Sequence, residues 1–147
     1  MPSRSAILLF AVLLAACTGH GWAPYAPETA VAGKYHRVGA GSVSMEIARG
    51  DGGFEVVLTG GSPPVDGGSA PANCIIRASG QLRDGSLNAA FQAVSAEDFS
   101  YSQARAVAER RRVVIAFAPG TAEVKRADTF GYCGLGSNFL GKYRRLE

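Results

Sequence analysis

Histidine, tryptophan and methionine are scarce in this chain of 147 residues, which holds two, one and two of them together with three cysteines. Each shortage closes off a chemistry. A serine or cysteine nucleophile needs an imidazole base within hydrogen-bond reach, and the only histidines are His20 and His36. His36 lies in Lys34-Tyr35-His36-Arg37, where charged neighbours make it a solvated strand residue. A zinc site built on two thiolates needs further ligands that this composition does not offer, so no metal and no other cofactor is expected. No apolar run reaches the roughly 20 residues of a membrane-spanning helix. Nor is one sign of charge dominant: 15 Lys and Arg against 12 Asp and Glu give +3, which is no nucleic-acid footprint. Glu46 and Glu55 can meet across a hairpin, but on its polar face, as an exposed pair rather than a glycosidase pair. Gly134-Leu135-Gly136 lacks the strand-then-helix setting and third glycine of a dinucleotide loop. The expectation is a protein that is not an enzyme.

What is present begins at the N-terminus. Arg4 precedes an apolar run over 6–16 that ends in small residues, the form of a secretory signal peptide. Leu14-Ala15-Ala16-Cys17 resembles the lipobox of bacterial lipoproteins. That resemblance implies that 1–16 is removed and that Cys17 is acylated and becomes the new N-terminus. With Thr18 rather than Asp next, it also implies the outer membrane, with the domain facing the periplasm. Two or more acyl chains, at roughly 0.8 kcal/mol per buried CH₂, are enough for stable anchoring. With Cys17 committed to lipid, Cys74 and Cys133 remain as an even pair in an oxidising compartment and are expected to form a disulfide. Closing that loop contributes about 4 kcal/mol in the chain-entropy picture; two buried free thiols are the alternative.

Residues 17–32 hold Pro24, Pro27 and several Gly and Ala without apolar periodicity, and are expected to be a flexible tether. From Gly33 the pattern has period two. Val43, Met45 and Ile47 alternate with polar residues, as do Phe54, Val56 and Leu58, then Leu87, Ala89 and Phe91, then Val113, Ile115 and Phe117. Ala122 and Val124 follow, and 138–146 closes the series with Phe139 and Tyr143. Asp51-Gly52-Gly53, Arg83-Asp84-Gly85-Ser86 and Pro119-Gly120 are turn signals, Asp-Gly being a strong one for a two-residue hairpin. The fold class is therefore all-β: about eight strands in an antiparallel meander over 33–147, closed into a small barrel, with a two-sheet sandwich as the alternative. Two stretches break the alternation. Residues 60–73 are too rich in Gly and Pro for a strand and form a long loop, either filler or a displayed recognition element. Within 95–112, Ser100 followed by Gln103 matches a capping box, and 103–112 is rich in the helix formers Ala and Arg, so one short surface helix is expected.

Arg105, Arg110, Arg111 and Arg112 form a basic cluster, read either as a solvated helix end or as a partner-binding patch for anionic groups. The C-terminal block Thr129-Phe130-Gly131-Tyr132-Cys133-Gly134-Leu135-Gly136-Ser137-Asn138-Phe139-Leu140-Gly141-Lys142-Tyr143-Arg144-Arg145, with Gly33-Lys34-Tyr35 and Asn73-Cys74, resembles small lysozyme-inhibitor-like envelope lipoproteins. That resemblance implies a protein partner, a cell-wall hydrolase whose cleft is plugged by a protruding loop. The expected function is thus a lipid-anchored binding protein of the periplasmic face that inhibits a lysozyme-type hydrolase. An envelope scaffold, a toxin-neutralising lipoprotein and a carrier of a small apolar ligand are the alternatives.

Overall fold

A computed structural model describes residues 27–39, 42–61, 73–96, 99–134 and 137–147. The expected signal segment, Cys17, the tether up to residue 26, residues 62–72 of the Gly/Pro-rich loop, and Leu135-Gly136 lie outside the described residues.

The ten strands are β1 (Gly33–Arg37), β2 (Ser44–Gly50), β3 (Gly53–Gly61), β4 (Asn73–Arg83), β5 (Ser86–Phe91), β6 (Val94–Ala96), β7 (Phe99–Tyr101), β8 (Arg112–Ala118), β9 (Thr121–Ala127) and β10 (Gly141–Arg145). Eight of them close an antiparallel barrel in the order β1-β10-β9-β8-β5-β4-β3-β2, and β6 pairs with β7 as a separate hairpin. The strands form because apolar side chains alternate with polar ones. Met45, Ile47, Phe54, Val56, Leu58, Ile76, Leu87, Ala89, Val113, Ile115, Phe117 and Val124 all point inward and are buried. No buried polar or charged side chain interrupts them among the described residues. The interior is thus filled with side chains, as in other small barrels.

The turn signals act as expected. Asp51-Gly52 joins Gly50 to Gly53, Asp84-Gly85 joins Arg83 to Ser86, and the Pro119-Gly120 turn joins Ala118 to Thr121. Asp84 and Gly85 both take positive φ, 50° and 71°, the conformation a two-residue hairpin demands. All three tight turns lie at one end of the barrel. The strand ends joined by the longer connections, Arg37 to Ser44, Gly61 to Asn73, Phe91 to Arg112 and Ala127 to Gly141, lie at the opposite end. At Gly80 the strands approach so closely that an added Cβ would lie 2.1 Å from the Asn88 carbonyl oxygen, which is how the sheet turns its corner.

Closure depends on a pair of near-identical strands, Gly33-Lys34-Tyr35-His36-Arg37 and Gly141-Lys142-Tyr143-Arg144-Arg145. They pair antiparallel with Tyr35 opposite Arg145, His36 opposite Arg144 and Arg37 opposite Tyr143, so each half of the seam mirrors the other. The buried Tyr35 hydroxyl donates to the Val31 carbonyl at 2.7 Å, and the Tyr143 hydroxyl donates to the Phe139 carbonyl at 2.7 Å. Arg37 donates to the Asn138 carbonyl at 2.7 Å; Arg145 donates to the Ala30 and Ala32 carbonyls, both at 2.8 Å. Each arginine therefore pins the lead-in of the other strand. Gly33 (φ 154°) leaves room for the Arg145 guanidinium, whose Nε would lie 2.8 Å from an added Cβ, while Gly141 serves through its positive φ of 119°. Residues 28–30 form a 3₁₀ turn and Val31 is fully buried, so the last part of the expected tether packs on the barrel.

The register revises one sequence expectation: Val57, not Glu55, stands opposite Glu46. Strand parity keeps both carboxylates outside, but they do not face each other.

Removing either tyrosine hydroxyl leaves a buried carbonyl without its donor, which costs about 1–3 kcal/mol. Tyr35→Phe and Tyr143→Phe should each lower unfolding stability by that amount in urea titrations. Because they act at opposite ends of the seam, the double variant should lose close to the sum.

Candidate functional site

The end with the long connections is organised around a short helix and the turn 128–134. Helix α1 (Gln103–Glu109) is shorter than expected and capped by a different residue. Ser102, not Ser100, is the N-cap, and its hydroxyl accepts from the Arg105 N–H at 3.2 Å. Ser100 is committed to β7, opposite Ser95, and Ser102 is the first residue free of that ladder. The helix stops at Arg110, which takes a left-handed conformation (φ 50°, ψ 35°), and Arg112 already belongs to β8.

The four arginines are therefore placed differently from one another. Arg105 and Arg111 both donate to the Glu109 carboxylate, Arg105 at 2.6 Å. Arg111 is largely covered, with 16% side-chain exposure. It also donates to the carbonyls of Asp128 (2.7 Å) and Phe130 (2.6 Å), and its guanidinium lies over the Tyr132 ring. Arg112 donates its backbone N–H to the Asp128 carboxylate at 2.9 Å and its side chain to Asn88 at 3.0 Å. Arg110 is exposed at the helix end. Arg126 completes the network through two bonds to Asp128. Three guanidiniums, those of Arg105, Arg111 and Arg126, thus share the carboxylates of Glu109 and Asp128, and among the described residues Arg110 and Arg112 add two further positive charges.

Glu109 is held down to about 2 by hydrogen bonds from Arg111 and Arg105. Asp128 is lowered by Arg126 and by the Arg112 N–H. Burial pushes the Tyr132 hydroxyl up to about 12, so it stays a neutral donor and binds the Ile75 carbonyl at 2.9 Å. The Tyr132 ring is enclosed edge-on by Phe91, Phe99 and Tyr101, with centroids 5.0, 5.1 and 4.7 Å away. Cys133 follows it and is joined to Cys74 on β4, as the cysteine count predicts. The turn is thus fastened by an aromatic box, a disulfide and Arg111 together, and it displays Phe130, whose exposure is 94%.

The sequence reading overlooked Phe130, Tyr132, Glu109 and Asp128. Glu109 stands four residues after Arg105, the spacing of a helical ion pair, and was open to prediction. The aromatic box was not, since its members come from β5, β7 and the turn. Among the described residues no group of three or more His, Cys, Asp or Glu could hold a metal ion, and no helix is long and apolar enough to cross a membrane.

Fold and site together define an eight-stranded antiparallel barrel with a filled interior and one elaborated, disulfide-bridged end. Comparison with protein families, curated proteins and solved structures returned no match for this chain.

Two outcomes follow. Because the native Glu109 value lies below its ordinary 4.5, its contribution is complete above pH 4.5 and disappears as pH falls towards about 2. Thermal melts should show Glu109→Gln losing less stability than the parent across that window. The disulfide closes a loop with a sequence separation of 59, so the Cys74→Ser/Cys133→Ser variant should be about 4 kcal/mol less stable in denaturant titrations.

Proposed function

We propose that this is a lipid-anchored binding protein of the bacterial envelope whose elaborated barrel end engages a cell-wall hydrolase of the lysozyme type. The observation that carries the reading is the braced turn holding Phe130 in solvent, with Arg111 bonded to its carbonyl and Arg126 bonded to Asp128 two residues before it. A large aromatic side chain held out on an ordered turn is the kind of anchor that fills a pocket on a partner. The disulfide, Tyr132 and Arg111 order the turn in advance, which reduces the entropy lost on binding. An arginine-rich rim complements the carboxylates of a glycosidase cleft, which Phe130 can enter as an apolar plug.

Two further features support it. Side chains fill the barrel axis, so recognition falls to outer surfaces rather than to an enclosed ligand. The described chain also enters from the end of the tight turns, where Glu28 bonds Arg49 near the Asp51-Gly52 turn. A lipid on Cys17, at most about 35 Å of extended chain from Pro27, would tether that end and leave the elaborated end pointing away from the membrane. In this reading the protein is not a catalyst; its membrane link is the acylated cysteine, and it sits in the outer membrane facing the periplasm.

The test is peptidoglycan lysis by purified muramidases of several types in the presence of the full chain. Stoichiometric slowing of at least one of them is expected, with the Phe130→Ala variant at least tenfold weaker. No slowing at large molar excess against any of them overturns the hydrolase reading.

A further inference from the structure

Away from the elaborated end, several cations on the barrel wall have an acidic side chain opposite or bonded to them, while Arg144 on β10 has none among the described residues. Lys34 stands opposite Glu46 and Lys142 opposite Glu123, Lys125 pairs with Glu123, and Arg49 pairs with Glu28. The outer face of β4, β5 and β8 differs. Arg77 and Arg83 on β4 and Arg112 on β8 project from it, exposed, and none of the three side chains has an ion-pair partner among the described residues. Between them lie amides and hydroxyls in register: Gln81 opposite Asn88, and Arg83 opposite Ser86. Gln81, Arg83, Ser86, Asn88 and Arg112 line one shallow groove. A second groove, on the other side of the outward row of β4, is lined by Arg77, Ser79 and Gln92, with the Glu55 carboxylate at its rim.

Strand geometry gives the scale. Arg77 and Arg83 are six residues apart on one strand, about 20 Å at roughly 3.3 Å per residue. Arg112 stands two strands away from β4, about 10 Å. Three permanently charged forks thus frame an outward row of Ser79, Gln81, Ser86 and Asn88, with Val114 opposite Asn88 and Glu55 opposite Ser79. Guanidiniums bind carboxylates in a bidentate fashion, and amides and hydroxyls both donate and accept, as sugar hydroxyls require. Other anionic macromolecules fit less well. Among the described residues the large exposed apolar side chains are Val38, Val107, Phe130, Leu140 and Leu146, and none is on this face, so these strands offer no apolar wedge to a bilayer. It also has no aromatic platform on which nucleic-acid bases could stack.

We propose that the outer face of β4, β5 and β8 binds an acidic, carboxylate-bearing polysaccharide. The arginines read the spaced carboxylates, and the Ser79, Gln81, Ser86 and Asn88 side chains read the hydroxyls between them. This face shares only Arg112 with the elaborated end and does not rest on the hydrolase reading.

The experiment is titration of the isotope-labelled full chain with oligogalacturonate, followed by NMR and calorimetry. Dextran, inorganic polyphosphate and phosphatidylglycerol vesicles serve as comparison probes. Oligogalacturonate should bind and shift the amide signals of Gln81, Asn88 and Arg77. Arg77→Gln and Arg83→Gln should each weaken it roughly tenfold, since each removes a charge-assisted, forked contact. Gln81→Ala should weaken oligogalacturonate severalfold and leave polyphosphate unchanged. All of these side chains are exposed, and unchanged thermal melts will confirm that the variants fold. The proposal is overturned if oligogalacturonate fails to bind, or if its shifts map elsewhere. It is also overturned if dextran, polyphosphate or vesicles bind as tightly, or if the variants bind like the parent. Arg77 and Arg83 lie outside the arginine cluster near Phe130, so such a failure leaves the hydrolase reading to its own test.

Discussion

The meeting of the first and last strands turns this chain from an open sheet into a barrel. An open eight-stranded sheet would present two unpaired edges, each a template for association. The seam that removes them is short, with three paired positions in its register. Five side-chain bonds from Tyr35, Tyr143, Arg37 and Arg145 reinforce it, and at about 1 kcal/mol each they rival the backbone ladder they accompany. The arrangement is reciprocal: each arginine holds the segment that precedes the other strand, so neither lead-in can loosen without releasing the seam. The seam also joins residues more than 100 positions apart, the contact with the largest loop-closure cost in the fold. Local reinforcement is concentrated where the entropy loss is greatest.

Closure of this kind divides the molecule. With eight strands the axis is just wide enough for side chains, and Leu58, Ile76, Leu87, Ile115, Tyr35 and Tyr143 occupy it. Recognition is left to the outside, and the two ends are unequal. Two-residue turns give one end no reach. The other carries an extra hairpin, a helix and a disulfide-bridged turn. Arg111 is the joint between helix and turn: its guanidinium bonds the last helical carboxylate and two carbonyls of the turn, and it covers the aromatic ring beneath. A side chain used in that many contacts is a brace. Arg111 thereby fixes the turn that displays Phe130, and the exposed Arg105 lies on the helix that it grips.

Much of this was legible because period-two alternation and Asp-Gly turns are local signals. The inward faces of β2, β3, β5, β8 and β9, three tight turns and the cysteine pair could all be read from neighbouring residues. What alternation leaves open is which strands meet. Barrel and sandwich share the same pattern, and pairing between β1 and β10 decides between them. The repeated Gly-Lys-Tyr-x-Arg was in plain view, but its meaning depends on those two strands being adjacent. The region 92–111 was harder for another reason. The strands β6 and β7 have three residues each, too few to establish a period, and Ser100 and Ser102 both stand just before the helix. Tertiary pairing of Tyr101 with Val94 settled the choice in favour of Ser102. Adjacent arginines also suggested one patch, whereas a left-handed Arg110 and the start of β8 send 110, 111 and 112 in three directions.

The two proposed surfaces use arginine in opposite ways, and the difference follows from where each residue is anchored. At the end that carries Phe130 the guanidiniums of Arg105, Arg111 and Arg126 are tied to Glu109 or Asp128, so they hold fixed positions without being free to fold around a ligand. On the wall of the barrel, Arg77 and Arg83 have no ion-pair partner among the described residues, which leaves their forks open to bidentate contact there. A braced end suits a shaped protein cleft, where preorganisation reduces the binding cost. A flat sheet face with free forks suits a repeating, extended polymer, where several modest contacts add along the chain. An anchor at the tight-turn end would place the wall roughly along the membrane normal and the braced turn at its far tip. The wall could then run beside a glycan while the tip met an enzyme acting on it.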